Sequence, residues 1–273
     1  MGDSNLRILV NEKEVFLDNE VTAFQVREKL KSDADIVILN GFPIKIDYTL
    51  SEGDKVTLIK RGEIPKKEEL EALMVSRHTP KVHEKVKKAR VAIAGLGGLG
   101  STVALALGRI GVGYLKIIDF DVVEPSNLNR QQYFIRHIGM KKCDALKDIL
   151  SDINPFIEVN NIDTRVTEDN IKELFEDMDI VIEAFDGADN KAMIVREVLL
   201  QTEKTKIVSA SGMAGYYSNN LIVSKKINSR LYMCGDFENE AKINEGLMAP
   251  RVGIAACHEA NMALRLILDE CDV

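Results

Sequence analysis

The chain has 273 residues, enough for one large domain or two smaller ones, and 45% of them are hydrophobic, as in an ordinary globular protein. A net charge of −7 removes the electrostatic case for nucleic acid, and no apolar run reaches the about 18 residues of a membrane span. The four cysteines, at 143, 234, 257 and 271, form no C-x-x-C pair, and the N-terminal MGDSNLRILVNEKE lacks the basic start and long apolar stretch of a signal peptide. These features lead us to expect a reduced, cytoplasmic protein with no disulfide framework.

Taken in chain order, Leu6 to Val10 and Glu14 to Leu17 read as two short strands joined by a turn at Asn11-Glu12-Lys13. Thr22 is a candidate cap for a helix over Ala23 to Leu30. Ile36 to Leu39 reads as a third strand before the turn pair Asn40-Gly41, and Lys55 to Lys60 alternates as a last strand after the turn at Ser51 to Asp54. The order ββαββ predicts a small mixed sheet crossed by one helix. Ile8 to Asn11, Ile38-Leu39-Asn40 and Glu52 to Val56 resemble, in order and spacing, the ubiquitin-like β-grasp of the sulfur carrier ThiS. Carriers of that type end in Gly-Gly with a free carboxylate, whereas here Arg61-Gly62-Glu63 continues the chain. Residues 62–88 are charged, punctuated by Pro65 and Pro80, and read as a linker with short surface helices over Lys67 to Ser76 and Lys81 to Lys88.

From Ala89 the pattern changes. Val91 to Ala94 is a short apolar run suited to a buried parallel strand, and glycines 95, 97 and 100 spell G-x-G-x-x-G before a helix over Thr102 to Arg109. Leu115 to Ile118 is a second buried strand ending at Asp119, 19 residues past Gly100. Strand, glycine turn, helix, strand and acidic residue make a nucleotide fingerprint in its required context: the glycines admit a phosphate to the backbone and the helix N-terminus, and Asp119 suits ribose hydroxyls. The fingerprint fits NAD or ATP. Ser126 to Gln131 then adds a guanidinium and amides, and Gly139 to Lys142 adds ammonium groups, a set better matched to a triphosphate than to a nicotinamide.

Beyond Lys142, further helices and strands alternate: a helix to Leu150, a strand over Ile157 to Ile162, a helix over Thr167 to Phe175, a buried strand over Asp179 to Phe185, a helix over Met193 to Thr202 and a strand over Lys206 to Ala210. This βαβ alternation predicts a doubly wound, mostly parallel, Rossmann-like sheet, with Gly95, Asp119 and Asp186 all on the rim formed by the carboxyl ends of its strands. Ser211 to Pro250 is interrupted by glycines, and Ile254 to Leu268 is the final helix, with Cys257 expected in its core face and His258 as a structural residue.

Gly95 to Gly100, Asp119-Phe120-Asp121, Ser126 to Gln131 and Gly139 to Lys142 together resemble the ThiF/MoeB branch of the ubiquitin-activating enzyme superfamily. The resemblance implies three segments: residues 1–61 as a ThiS-like domain, 62–88 as a linker and 89–273 as an ATP-binding adenylyltransferase domain. It implies an enzyme that joins the C-terminal glycine of a separate sulfur carrier to AMP, releasing pyrophosphate, for sulfur transfer in thiamin (thiazole) biosynthesis. It further implies nucleotide contacts from Gly95, Gly97, Gly98, Gly100, Asp119, Asn127, Asn129, Arg130, Gln131 and Lys142. Arg130 and Lys142 would serve the phosphates, Asp186 would hold Mg²⁺, and Arg77 would reach the partner's phosphates across a homodimer. Cys234 lies in the region where some members carry a crossover cysteine, and a sulfur donor protein would then be a second partner. With no paired C-x-x-C ligands, zinc is not expected, and Asp186-Gly187 replaces the usual Asp-Asn. The alternatives are a MoeB-like role on a molybdopterin carrier, an NAD-dependent oxidoreductase, and a non-catalytic adaptor that binds a carrier.

Overall fold

The computed structural model describes residues 5–78 and 81–273, apart from the side chain of Arg77. The chain divides into two compact units that meet in sequence at Lys81 and Val82.

The first unit is built of β1 (Leu6–Val10), β2 (Lys13–Leu17), α1 (Ala23–Leu30), β3 (Ile36–Leu39), β4 (Phe42–Ile44), β5 (Lys55–Ile59) and α2 (Lys67–Arg77). Its sheet order is β2-β1-β5-β3-β4, with β1 and β5 parallel and the other neighbours antiparallel. The tight β1–β2 turn holds Asn11 and Glu12 at φ 46° and 62°, and Asn40-Gly41 turns at 50° and 88°, the left-handed region these residue types tolerate best. Thr22 and Gln25 close a capping box at the start of α1. That helix buries Ala23 and Val26 against Ile8, Val37, Val56 and Leu58. β4 escaped the sequence reading because it is three residues long and contains Pro43, which is tolerated there because β4 is an edge strand.

The segment after β5 is pinned to its own unit. The Arg61 N–H donates to Asp35 Oδ2 at 2.8 Å, Lys31 Nζ lies 2.5 Å from Glu63 Oε2, and Asn11 Nδ2 donates to Glu69 Oε1 at 2.6 Å. The charged stretch from 62 to 88 is thus shared out, with α2 in the first unit and α3 (Val82–Val86) in the second.

The second unit continues with β6 (Arg90–Ala94), α4 (Gly98–Arg109), β7 (Tyr114–Ile118), α5 (Lys142–Ile153), β8 (Glu158–Ile162), α6 (Ile171–Phe175), β9 (Ile180–Glu183), α7 (Ala188–Gln201), β10 (Lys206–Ala210), β11 (Val223–Lys226), β12 (Leu231–Gly235) and α8 (Ala249–Ile267). The sheet order is β11-β12-β10-β9-β6-β7-β8, parallel throughout except where β11 pairs with β12. The apolar strand runs divide by their period of two into two cores. Val91, Ile93, Leu115 and Ile117 pack with residues of α4, α5 and α8, and Ala92, Ala94, Ile118 and Val181 pack with residues of α6 and α7. The Rossmann-like sheet and the small β-grasp are the architecture the pattern predicts. No helix among the described residues is long and apolar enough to cross a membrane.

Three local expectations are corrected. α4 starts at Gly98, not Thr102, because the glycine turn itself forms the first helical turn. α7 starts at Ala188, not Met193, with Asp189 in its first turn, where a carboxylate suits the helix dipole. Cys257 is exposed, not in the core, since α8 buries Val252, Ala255, Ala256, Ala260 and Ala263 on the opposite stripe.

One buried group on α8 is costly. Glu259 is fully buried and neither carboxyl oxygen has a hydrogen-bond partner among the described residues. Burial pushes its carboxyl well above the usual carboxylate range; Lys191 opposes this and Glu183 adds to it. The folded state therefore holds a proton that the unfolded chain releases near pH 4.3, about the free value for Glu. Stability is complete below that value and declines as pH rises toward the folded pKa. Glu259→Gln should raise Tm above about pH 6 and flatten its fall toward higher pH, measured by thermal melts from about pH 5 to about pH 8.

Candidate active site

β6 lies between β9 and β7, so the strand order reverses direction beside it, and a crevice opens beyond the carboxyl ends there. The backbone path through that crevice is set by glycine. Gly95 has φ 90°, its N–H donates to Ile118 O at 2.9 Å, and a Cβ on it would stand 2.7 Å from Ala184 O. A Cβ on Gly100 would fall 1.8 Å from Gly95 O, so that glycine is required by the packing of α4 on the turn. Gly98 is closed off by Val252, whose Cγ1 would lie 2.9 Å away. Gly97 differs: the nearest atom to an added Cβ is Gln131 Nε2 at 3.9 Å. The fold does not demand a glycine there, and its bare backbone faces a cavity of about 360 Å³.

Gly95, Gly97, Gly98, Asp119, Arg130, Gln131, Lys142 and Asp186 all line that cavity. Asp119, largely buried, braces the turn: Oδ2 accepts from Leu96 N–H at 2.7 Å and Oδ1 from Asp121 N–H at 2.8 Å, leaving a lone pair on each oxygen. Asp121 in turn holds Lys142, buried at the start of α5, with Nζ 2.8 Å from its Oδ2. Arg130 follows the 3-10 turn Pro125–Asn129 and donates to Asn129 Oδ1 at 2.8 Å. Asn127 is buried inside that turn, accepting from Glu124 N–H at 3.0 Å, so it shapes the loop without lining the cavity, as does Asn129 beside Arg130. Gln131 is buried, and its Oε1 has no partner among the described residues. Asp186, past the end of β9, is exposed and makes no hydrogen bond or ion pair with the described residues. A lone carboxylate with room around it fits Mg²⁺, which keeps most of its coordination for water and phosphate. Among the described residues no group of three or more His, Cys, Asp or Glu side chains forms a metal cage.

Further wall residues come from outside the expected contact set. Arg165 lies with its guanidinium carbon 5.5 Å from the Phe120 ring centre, and Lys191 Nζ is 3.0 Å from Glu183 Oε1; all but Glu183 line the cavity. Phe120 stands inside the Asp119-Phe120-Asp121 motif, which is visible in the sequence; Arg165 and Lys191 become neighbours only through the sheet order. Cys234 is elsewhere. It is buried in β12 with Sγ 3.4 Å from Ser224 Oγ, and burial pushes its thiol up to about 12. Such a thiol is a poor nucleophile near neutrality. Ser224 also meets His258 Nδ1 at 3.1 Å, which ties the last helix to β11. The side chain of Arg77 lies outside the described residues.

Comparison with known proteins agrees with this geometry. The model of the ThiF family matches residues 70–272, and that of ThiS-like ubiquitin matches residues 6–62. The chain is 30% identical over 199 residues to the molybdopterin-synthase adenylyltransferase of Haemophilus influenzae, covering 68% of this chain and 77% of that protein. It is 38% identical over 130 residues to the adenylyltransferase and sulfurtransferase UBA4 of Candida glabrata, 47% of this chain but only 30% of that one. The chain therefore spans less than a third of that longer relative's length. In fold it is similar to the E. coli tRNA N6-threonylcarbamoyladenosine dehydratase TcdA solved in complex with ATP, with TM-score 0.65 and 23% identity over 72% of this chain and 93% of that one. With three quarters of its length matched and the glycine turn, Asp119, Arg130, Lys142 and Asp186 gathered on one cavity, the chain belongs to the ThiF family and carries a ThiS-like ubiquitin domain ahead of that region.

Proposed function

We propose that this chain transfers AMP from ATP to the C-terminal carboxylate of a separate ubiquitin-like sulfur carrier ending in Gly-Gly. The observation that carries the reading is the convergence, on one cavity, of the bare Gly97 backbone, the cations Arg130 and Lys142, and the unpaired carboxylate of Asp186. A terminal carboxyl has a pKa of about 3.5, so the nucleophile is ionised at neutral pH and no general base is needed. One carboxylate oxygen forms a bond to the α-phosphorus; the bond to the bridging oxygen breaks, and its electron pair leaves with pyrophosphate. The difficulty is bringing two anions together. Arg130, Lys142 and the N–H groups at the start of α4 supply fixed positive charge where negative charge gathers. Asp186 would hold Mg²⁺, which neutralises phosphate charge when bound.

The first unit is read as a docking or regulatory module, not the substrate. Gly62 is in peptide linkage to Glu63, and the segment on both sides of it is held, Arg61 by Asp35, Glu63 by Lys31 and Glu69 by Asn11. The name of the Haemophilus influenzae relative, a molybdopterin-synthase adenylyltransferase, favours a molybdopterin-type carrier over the thiazole-pathway carrier expected from the sequence; the ThiS-like module favours the latter.

ATP–pyrophosphate exchange decides these points. The purified chain alone should exchange little, and adding one carrier of either type should switch exchange on; efficient exchange without a carrier, or none with both, overturns the reading. ATP with Mg²⁺ should raise Tm by linkage while NAD leaves it unchanged; the reverse pattern would favour an oxidoreductase. Asp186→Ala and Arg130→Ala should each lower carrier-dependent exchange by about two to four powers of ten, as loss of a transition-state charge contact does, with melting curves close to those of the unaltered chain. A rate near the original in either variant removes that residue from the mechanism.

A further inference from the structure

The cavity has a second wall that contributes none of the nucleotide-facing groups discussed so far. Gly212, Met213 and Ala214, after β10, and Asn239, Glu240 and Ala241, after β12, line it. The two loops are stitched together by backbone bonds: Met213 N–H and Ala214 N–H both donate to Asn239 O, at 2.9 and 3.0 Å, and Asp236 N–H donates to Gly212 O at 2.9 Å. Their positions are fixed by one ion pair. Asp236 accepts from Glu238 N–H at 3.0 Å, Asn239 N–H at 2.9 Å and Asn239 Nδ2 at 2.7 Å, and it also receives a guanidinium nitrogen of Arg251. The other terminal nitrogen of Arg251 donates to Tyr217 O at 2.7 Å and Ser218 O at 2.9 Å. Both side chains are almost completely withdrawn from water, at 4% and 2% exposure.

A buried ion pair is a poor means of adding stability, because the desolvation of both partners offsets their attraction. It is a good means of fixing geometry when the hydrogen bonds are directional. Here a planar fork grips the 217–218 carbonyls with one arm and the 236–239 loop with the other. Arg251 stands in the first turn of α8, and the next residue, Val252, packs on Gly98 at the head of α4. The same helical turn therefore touches the glycine turn and anchors the opposite loops.

Resting on the adenylation reading, we propose that Arg251, with Asp236, is a positioning residue that sets the spacing between the carrier-tail wall of the cavity and the phosphate-facing glycine turn. An extended glycine peptide has no side chains to grip, so only a wall held at fixed distance can aim its carboxylate at phosphorus; a displacement of about 1 Å can cost about a hundredfold in rate.

The test is Arg251→Lys, which keeps the charge but cannot bridge both loops. The assays are kcat and KM for the carrier that supports exchange by the unaltered chain, the Tm shift given by ATP with Mg²⁺, and deuterium uptake of residues 211–218 and 236–241. The expected result is a kcat lowered about tenfold to a hundredfold with the carrier KM changed much less, an ATP-induced shift like that of the unaltered chain, and faster uptake confined to the two loops. An unchanged kcat, or unchanged uptake of the loops, overturns the proposal, as does a parallel loss of ATP binding, which marks a purely structural pair. Should Arg251→Lys fail to fold, Asp236→Asn, of equal size, is read by the same three measurements. If the unaltered chain exchanges with no carrier, the adenylation reading fails instead, and loop uptake together with the ATP shift decides the pair by itself.

Discussion

At Gly95 the main chain is pressed between the carbonyl of Ala184 and the first turn of α4, with no space for a side chain at either this residue or Gly100. That contact joins the end of β6 to the end of β9 and sets the height at which α4 begins. Asp119 completes it by accepting from Leu96 N–H. The free N–H groups of α4, the bare face of Gly97 and the carboxylate of Asp186 all take their positions from this one close approach. A fold that let the turn relax outward by even a methyl radius would separate the groups that face the cavity.

Around that point the site is assembled from loops of very different sequence origin. The turn after β7 supplies Asp119 and Asp121, the 3-10 turn supplies Arg130, and the head of α5 supplies Lys142. These three segments hold each other: Val123 N–H donates to Met140 O and Lys142 N–H to Asp121 O, so the loop between β7 and α5 closes on itself. The adjacent half of the cavity depends on Arg251 in the same way, through an ion pair in place of a backbone ladder.

What the sequence disclosed follows from where the physical demand is local. Positive φ at Asn11, Asn40 and Gly95, the Thr22–Gln25 capping box and the period-two apolar runs are each written within a few neighbouring residues, and all were legible. Gly95, Gly97, Gly98, Asp119, Arg130, Gln131, Lys142 and Asp186, which line the cavity, each stand in a short contiguous motif or just past the end of a strand, within a window that sequence can show. Arg165, Lys191 and the Arg251–Asp236 pair were not legible. Their proximity arises from the order β10-β9-β6-β7-β8 and from the placement of α8, which no short window encodes. Cys257 is exposed although α8 is apolar on much of its surface, because packing against α4 and against the sheet decides which stripe is covered.

The cations of the cavity are not bare. Lys142 rests on Asp121, Lys191 on Glu183, Arg130 on Asn129, and Arg165 on the face of Phe120. An arriving anion gains only the difference between its own attraction and that of the partner it displaces. On the adenylation reading, a single small anion would gain little from exchanging the partner of any one cation. A chain of linked phosphates replaces several partners at once, and each exchange after the first occurs at high effective concentration. On that reading, selectivity for a polyphosphate would arise from the partners already in place, with no requirement that any one cation bind strongly.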